Sequence, residues 1–518
     1  MASARGALQW TCRELGLTSV WVTGRDAWLV ILGRTCRMFA FGAISLIIAL
    51  FMSSLNYSDF KIGLFMTLTL VGDVILSLLT ALVADRTGRR RILILGGALM
   101  VFSGLVFVYF ENYWILLFGA VVGVISATGG DFGPFRSIEE STLSHLTEPS
   151  TRADVLSWYV TISTMSSAVG TEVAGRMVHV LQEWRGGTVT EAYHDMFWIY
   201  AAMGVTSLIC ALLMSDKCES PDLMADTDDK SPDADPLLGP AEHDRINGYQ
   251  GDAIAQGNGR DRSDSVQLDA DQQQRRLRPA SPVGRDEPRR NGLFSRFSQI
   301  SKESLVVSIK IWILLAIDSL ADGMVSYALT NYYLARKFSL DESVLGDIMS
   351  ISYVLMAVSS MFAGPLARHL GLINTMVFTH LPSSTAVLLF PIPQSVSLTV
   401  VLLFIRTGLN NMDQGPRAAF IAAVVKPEER TAVMGITGML RTLASTVGPS
   451  LTGWLAGTDR FWIAFVIAGA LRIGYDLGLF VIFVNMKLHA HELPEEHEQS
   501  DEEAPTCSGQ NGRVGNED

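Results

Sequence analysis

The sequence predicts an all-α membrane protein of twelve transmembrane helices in two pseudo-symmetric six-helix halves. Three observations predict it: apolar runs too long for strands, a low share of charge, and motifs that recur at a nearly constant offset. Of 518 residues, 49% are hydrophobic and 18% charged, where soluble domains carry about 25% charge. An apolar helix of about 20 residues spans the hydrocarbon core. Runs of that order occur at 36–54, 62–83, 92–110, 113–133, 155–175, 195–214, 310–332, 346–365, 373–391, 397–415, 433–455 and 461–485. A membrane barrel would show segments of about ten residues with alternating polarity.

These runs divide the chain into a cytoplasmic N-terminal segment (1–35), an N-terminal half (36–215), a linker (216–305), a C-terminal half (306–488) and an acidic tail (489–518). The net charge of -12 gathers in the linker and the tail, so the acidity describes hydrophilic segments and argues against a nucleic-acid partner. The linker is rich in Asp, Pro, Gly, Gln and Arg and poor in aromatics. Such a composition cannot bury enough apolar surface to order itself, so linker and tail are expected to be disordered. Arg13, Arg25 and Asp26 interrupt any leader-like run, so no cleavable signal peptide is expected. Cys12, Cys36, Cys210, Cys218 and Cys507 have no metal-ligand spacing and are expected as unpaired thiols.

Orientation follows from Lys and Arg in short loops. Arg86, Arg89, Arg90 and Arg91 follow the second run, Arg417, Lys426 and Arg430 follow the tenth, and residues 111–112 carry no positive charge. Even-numbered helices should therefore end in the cytoplasm, with both termini inside; Arg336 and Lys337 depart from the pattern. Asn56-Tyr57-Ser58 then falls outside, making Asn56 a candidate glycosylation site.

The halves echo each other. Asp85 and Arg368, Gly88 and Gly371, and Gly63 and Gly346 are each 283 apart. Asp131-Phe132-Gly133-Pro134 and Asp413-Gln414-Gly415-Pro416 close the fourth and tenth runs at an offset of 282. Pro149 and Pro427, Arg152 and Arg430, Gly170 and Gly448, and Gly175 and Gly453 differ by 278. Two six-helix repeats joined by a long loop place a binding site near the bilayer midplane between them.

Asp85-Arg86-Thr87-Gly88-Arg89-Arg90 resembles the Gly-x-Leu-Ala-Asp-Arg-x-Gly-Arg-Arg signature of the major facilitator superfamily. Ala81 and Val83 replace its leading Gly and Leu, and the second copy keeps Gly364, Leu366 and Ala367 with Arg368 in place of the Asp. The resemblance implies a gating role for Asp85, Arg86, Gly88, Arg89, Arg90, Gly364, Arg368 and Gly371, with Asp85 capping a neighbouring helix and Arg89 as its charge partner. Gly170-Thr171-Glu172-Val173-Ala174-Gly175 is similar to the Gly-Pro-x-x-Gly-Gly signature of drug:proton antiporters, with Thr171 in place of Pro. The glycines would equally serve close helix packing.

Charges within the runs are costly and mark function. The candidates for substrate or proton binding are Asp73, Glu172, Asp318, Asp322, Arg406 and Arg441; Arg37 can snorkel to the interface. Asp318 and Asp322 are four apart and share a helix face, which suits proton binding and release; the alternative is that Arg406 or Arg441 neutralises one of them or binds an anionic group of the substrate. Asp131 and Asp413, with Gly133, Pro134, Gly415 and Pro416, recur in both halves and are expected to be structural, capping cytoplasmic helix ends. There is no phosphate-binding loop, metal spacing or nucleophile elbow, so neither an enzyme nor a cofactor or metal is expected. The expectation is a monomeric multi-pass protein of the plasma membrane, moving a small organic solute by alternating access, with protons driving its export. Proton-coupled uptake and a solute sensor are the alternatives. The acidic dileucine-like Asp233-Ala234-Asp235-Pro236-Leu237-Leu238 would direct the chain to a vacuolar or endosomal membrane instead.

Overall fold

The computed structural model describes residues 17–125, 134–148, 151–215, 218–219, 302–426 and 429–483. Among them are sixteen α-helices and no strand. The N-terminal half holds α1 (Leu17–Val22), α2 (Arg25–Ser54), α3 (Asp59–Thr87), α4 (Arg89–Tyr109), α5 (Tyr113–Val122), α6 (Pro134–Leu146), α7 (Arg152–Arg185) and α8 (Val189–Leu213). The C-terminal half holds α9 (Lys302–Met324), α10 (Tyr327–Phe338), α11 (Glu342–Leu370), α12 (Leu372–Leu389), α13 (Val396–Asn410), a 3-10 turn (Asn411–Asp413), α14 (Gln414–Val424), α15 (Arg430–Gly457) and α16 (Phe461–Phe483). Eight of these helices are long and apolar enough to cross a membrane. Large apolar side chains such as Phe118, Phe362, Phe378, Trp454 and Val481 are exposed on the outside of the bundle, as expected of a surface solvated by lipid.

Each of the twelve predicted runs meets a helix among the described residues, with instructive departures. The first spanning helix, α2, begins at Arg25 rather than at residue 36. Its charges masked it, but Arg34 is 2% exposed and paired within the protein. The fourth run is interrupted: α5 stops at Val122, and Asp131 and Gly133 lie outside the described residues. Pro134 opens α6 and Pro416 sits in the first turn of α14, positions where a missing N–H removes no helix bond. The seventh run breaks at Val325-Ser326 between α9 and α10.

The motif glycines Gly88 and Gly371 have φ of 98° and 84°, a region open to glycine and strained for other residues. Each turns the chain sharply into the next helix, α4 or α12. The α4 N-terminus is capped from the far end of its half: the Arg89 amide donates to Glu219 Oε2 at 2.7 Å. Arg90 donates to the Leu212 carbonyl at 2.7 Å, covering the C-terminal end of α8. The side chains of Asp85 and Arg86 lie outside the described ones, and Arg368 is exposed.

The face away from the Arg-rich loops is where the halves meet. A Cβ on Gly63 would stand 2.2 Å from the Pro449 carbonyl oxygen and 2.9 Å from Gly453 Cα; one on Gly346 would stand 3.1 Å from Gly175 Cα. The repeat-related pairs thus exchange partners, α3 against α15 and α11 against α7. Gly170 and Gly448 act within each half, pressed on Phe39 of α2 and on Gly323 and Met324 of α9. At the rim, Tyr332 donates to Asp59 at 2.6 Å, Arg336 pairs with Asp59 and Asp459, and Tyr193 donates to Glu342 at 2.6 Å. Lys337 caps the Pro391 and Pro393 carbonyls at 2.8 and 2.7 Å. The two cations that broke the loop-charge pattern are therefore held by fixed partners. Behind this contact, stacked aromatics fill each half: Phe107–Phe197 at 4.6 Å and Phe390–Phe465 at 4.9 Å between ring centroids.

Toward the Arg-rich loops the halves separate. Gly364 and Gly438, on the same helices as Gly346 and Gly453, have open space where a Cβ would be. Cys36, Cys210 and Cys218 are buried free thiols, as expected for those three. Asn56 is exposed in the α2–α3 connection at φ 61°, a conformation asparagine tolerates.

Candidate functional site

A cavity of about 360 Å³ lies between the halves. From the N-terminal half, Arg34, Met38, Leu70, Arg136, Val160, Ser163, Thr164 and Ser167 line it; from the other half come Asp322, Gly323, Ser326, Tyr327, Tyr353, Met356, Arg406, Asn410, Asn411, Gln414, Gly438, Arg441, Thr442 and Ser445. Polar and apolar groups alternate around it because each helix presents one mixed face inward and one apolar face outward.

Two buried charge clusters flank the cavity. In the N-terminal half, Glu139 of α6 accepts from Arg37, from Arg34 at 3.4 Å and from Tyr159 at 2.8 Å. Arg34 also donates to Ser163 at 3.0 Å and stacks over Tyr159 at 4.6 Å. Arg37 therefore does not snorkel; it is buried and paired with Glu139. Removing a partner from a buried pair costs roughly 3–5 kcal/mol, because it strands the remaining charge. Glu139→Gln leaves two guanidiniums facing one neutral amide. It is expected to lower the unfolding temperature of detergent-solubilised protein sharply, whereas Glu140→Gln, at a half-exposed pair with Arg136, should barely change it.

The second cluster lies among α9, α12, α13, α14 and α16. Arg472 donates to Asp322 at 2.7 Å and to Asn410, and its second amino group lies 2.7 Å from His380 Nε2. His380 Nδ1 is 2.7 Å from Asp476, which also accepts from Ser384 at 2.7 Å. Arg417 joins Asp413 and reaches Asp318 at 3.4 Å; Asp318 also lies 3.6 Å from His380. Arg406 spans the α9–α10 break, donating to the freed Val325 carbonyl and to Thr330 at 3.0 Å. Arg441 donates through Nε to Ser319 at 3.2 Å.

Of the six substrate or proton candidates, Asp322, Arg406 and Arg441 line the cavity. Asp318 is fully buried behind it. Asp73 is buried on α3 and forms no ion pair among the described residues. Glu172 is not a buried charge: it pairs with Arg176, which is 67% exposed and reaches Asp347 across the halves at 3.0 Å. Asp413 stands at the start of α14 but makes no side-chain cap; its carboxylate is taken by Arg417. Arg417 is itself 6% exposed rather than a solvated loop charge.

The residues missed in the sequence are Arg34, Glu139, His380, Arg417, Arg472 and Asp476. Arg472 and Asp476 sit four apart in an apolar run, the same spacing that singled out Asp318 and Asp322. The others were hidden, because loop boundaries drawn from hydropathy placed Arg34, Glu139 and Arg417 outside the bundle and His380 carries no formal charge.

Two repeated helical halves around a polar cavity, sealed at one face and parted at the other, have the form of a membrane transporter. The family model of the Major Facilitator Superfamily matches residues 30–251 and 311–509. The chain belongs to that superfamily of secondary transporters. It is 30% identical over 464 residues to the uncharacterized membrane protein YJR124C of Saccharomyces cerevisiae, an alignment covering 89% of this chain and 95% of the yeast one. The fold is shared with the nucleoside transporter NupG (TM-score 0.61, 11% identity, 90% of this chain and 100% of that one). It is also shared with a D-xylose-proton symporter (TM-score 0.59, 13% identity, 88% and 96%) and with the human organic anion transporter MFSD10 (TM-score 0.53, 15% identity, 88% and 99%).

Proposed function

We propose that the chain carries a small organic solute by alternating access, coupled to protons, with His380 as the proton-bearing group. One observation carries the coupling: Arg472 lies 2.7 Å from His380 Nε2. Arginine can only donate, so on this reading Nε2 accepts through its lone pair, Nδ1–H donates to Asp476 and the ring is neutral. A proton arriving at Nε2 must displace Arg472, and Arg472 also holds Asp322 in the cavity wall. Proton and solute sites are thereby joined through one guanidinium. The groups facing His380 are Asp318 from α9, Ser384 from its own helix, and Arg472, Tyr475 and Asp476 from α16. Asn410 of α13 acts through Arg472, and Arg417 of α14 through Asp318. Asp318 fits better as the anchor of Arg417 than as the coupling site.

With the Arg-rich loops in the cytoplasm, this arrangement is inward-open. The solutes named for the structural neighbours are nucleosides, xylose with a proton, and organic anions, all within the reach of a cavity of this size. Export by antiport, which the motif resemblance favours, requires that proton and solute exclude each other. Uptake by symport requires that they favour each other. Flux of labelled solutes into proteoliposomes under an imposed pH gradient tests the reading. Accumulation that follows the gradient is expected, its sign separating the two modes; flux indifferent to the gradient refutes proton coupling.

A further inference from the structure

The cavity wall carries an excess of positive side chains, contributed by both halves. Four arginines, Arg34, Arg136, Arg406 and Arg441, line it against the single carboxylate of Asp322. Asp322 is taken by Arg472, Arg34 by Glu139 and Arg136 by Glu140. Arg406 and Arg441 form no ion pair among the described residues; Arg406 spends its donors on Val325 and Thr330. Arg441 alone keeps its two terminal amino groups uncommitted, while the Nε bond to Ser319 fixes the plane of the fork. A fork of this kind matches a carboxylate through two parallel hydrogen bonds. Tyr327, Tyr353, Met38 and Met356 line the same cavity and offer an apolar bed.

We infer that the cavity binds a small organic carboxylate, its acid head on Arg441 and its apolar body on the tyrosine–methionine wall, and binds it together with a proton. The inference rests on reading this cavity as the transport site. The second clause follows from charge. Within the second cluster Asp318, Asp322, Asp413 and Asp476 balance Arg406, Arg417, Arg441 and Arg472 when His380 is neutral, and the excess cation that Arg34 and Arg37 leave over Glu139 is the same in both protonation states. A proton on His380 leaves one positive charge uncompensated in a low-dielectric site, and an anion supplies the compensation. Proton and carboxylate then favour each other, which is the linkage of symport.

Purified full-length protein and the matched probes benzoate and benzamide, with butyrate and butyramide as a smaller pair, test this by thermal-shift titration. Wild type should bind each carboxylate at least about tenfold more tightly than its amide, a difference of about 1.4 kcal/mol. Arg441→Gln should erase the preference, and Arg441→Lys should keep part of it. Carboxylate affinity should rise between about pH 8 and about pH 6, where the probes stay ionised and a histidine does not stay neutral; in His380→Gln it should not. Equal binding of acid and amide, no binding of either, or a preference that survives Arg441→Gln overturns the carboxylate assignment and leaves the transport-site reading standing. Carboxylate binding that survives Gly438→Trp, which fills the cavity, refutes the cavity as the site. An affinity independent of pH overturns the co-binding clause. Unliganded unfolding temperatures identify any variant that has merely lost its fold.

Discussion

Replacing His380 with glutamine is expected to give a folded protein that still exchanges solute but no longer concentrates it when a pH gradient is imposed. Glutamine reproduces the neutral ring's bonding: its carbonyl can accept from Arg472 and its amide can donate to Asp476. What it lacks is a proton that comes and goes. Gradient-driven accumulation should fall by at least about tenfold, a floor set below the roughly 100- to 10,000-fold that a positioned proton-transfer group contributes in catalysis. Exchange of labelled for unlabelled solute across the same membranes, which needs no net proton movement, should stay near the wild-type rate at about pH 8, where the wild-type histidine is neutral as well. If gradient-driven accumulation persists in this variant, the proton is carried elsewhere, and the buried, unpaired Asp73 becomes the first group to test.

Substituting Gly63 by valine should have the second large effect, and by a different route. A Cβ there would stand 2.2 Å from the Pro449 carbonyl oxygen, so α3 and α15 cannot approach as closely as they do. Overpacking costs about 1–3 kcal/mol, which corresponds to roughly 5- to 150-fold in the population of the arrangement that needs the contact. Transport should drop by at least about fivefold on that arithmetic. Because Gly63 packs against the opposite half, the fold of its own half should survive. A cysteine introduced at Gly438, on the parted side of the cavity, should react more slowly with a polar thiol reagent when Gly63→Val is also present. Unchanged transport would mean that the Gly63–Gly453 contact is not the seal.

The architecture was largely legible in the sequence, because apolar length and the 283-residue echo are both one-dimensional signals. Gly63, Gly346, Gly175 and Gly453 announced themselves as repeat-related before anything showed that they touch. Even so, the offset could not say which glycine meets which, since partners across the halves exchange. The candidate site was less legible. Hydropathy treats any charge as a vote for the loop, so Arg34 and Glu139, which neutralise each other inside the bundle, were read as lying beyond the helix ends. Arg417 has the sequence position of an orientation marker, but its charge is spent on Asp413 and Asp318. Glu172 shows the converse: an acid in an apolar run whose helix rotation turns it outward to Arg176. Helix rotation and pairing are three-dimensional facts, and the period of the apolar pattern in these nearly all-apolar runs is too weak to carry them.

The seal between the halves is backbone against backbone, and this has a consequence for how the protein is tuned. Glycine contacts at zero clearance offer evolution almost no adjustable parameter: any side chain added there breaks the contact outright. The adjustable part is the rim, where Arg336 meets Asp59 and Arg176 meets Asp347, both arginines substantially open to the medium. Exposed pairs of this kind contribute about 0–1 kcal/mol each, and dissolved salt screens them over about 8 Å. Raising the salt concentration is therefore expected to shorten the time the molecule dwells with that face shut, without touching the cavity.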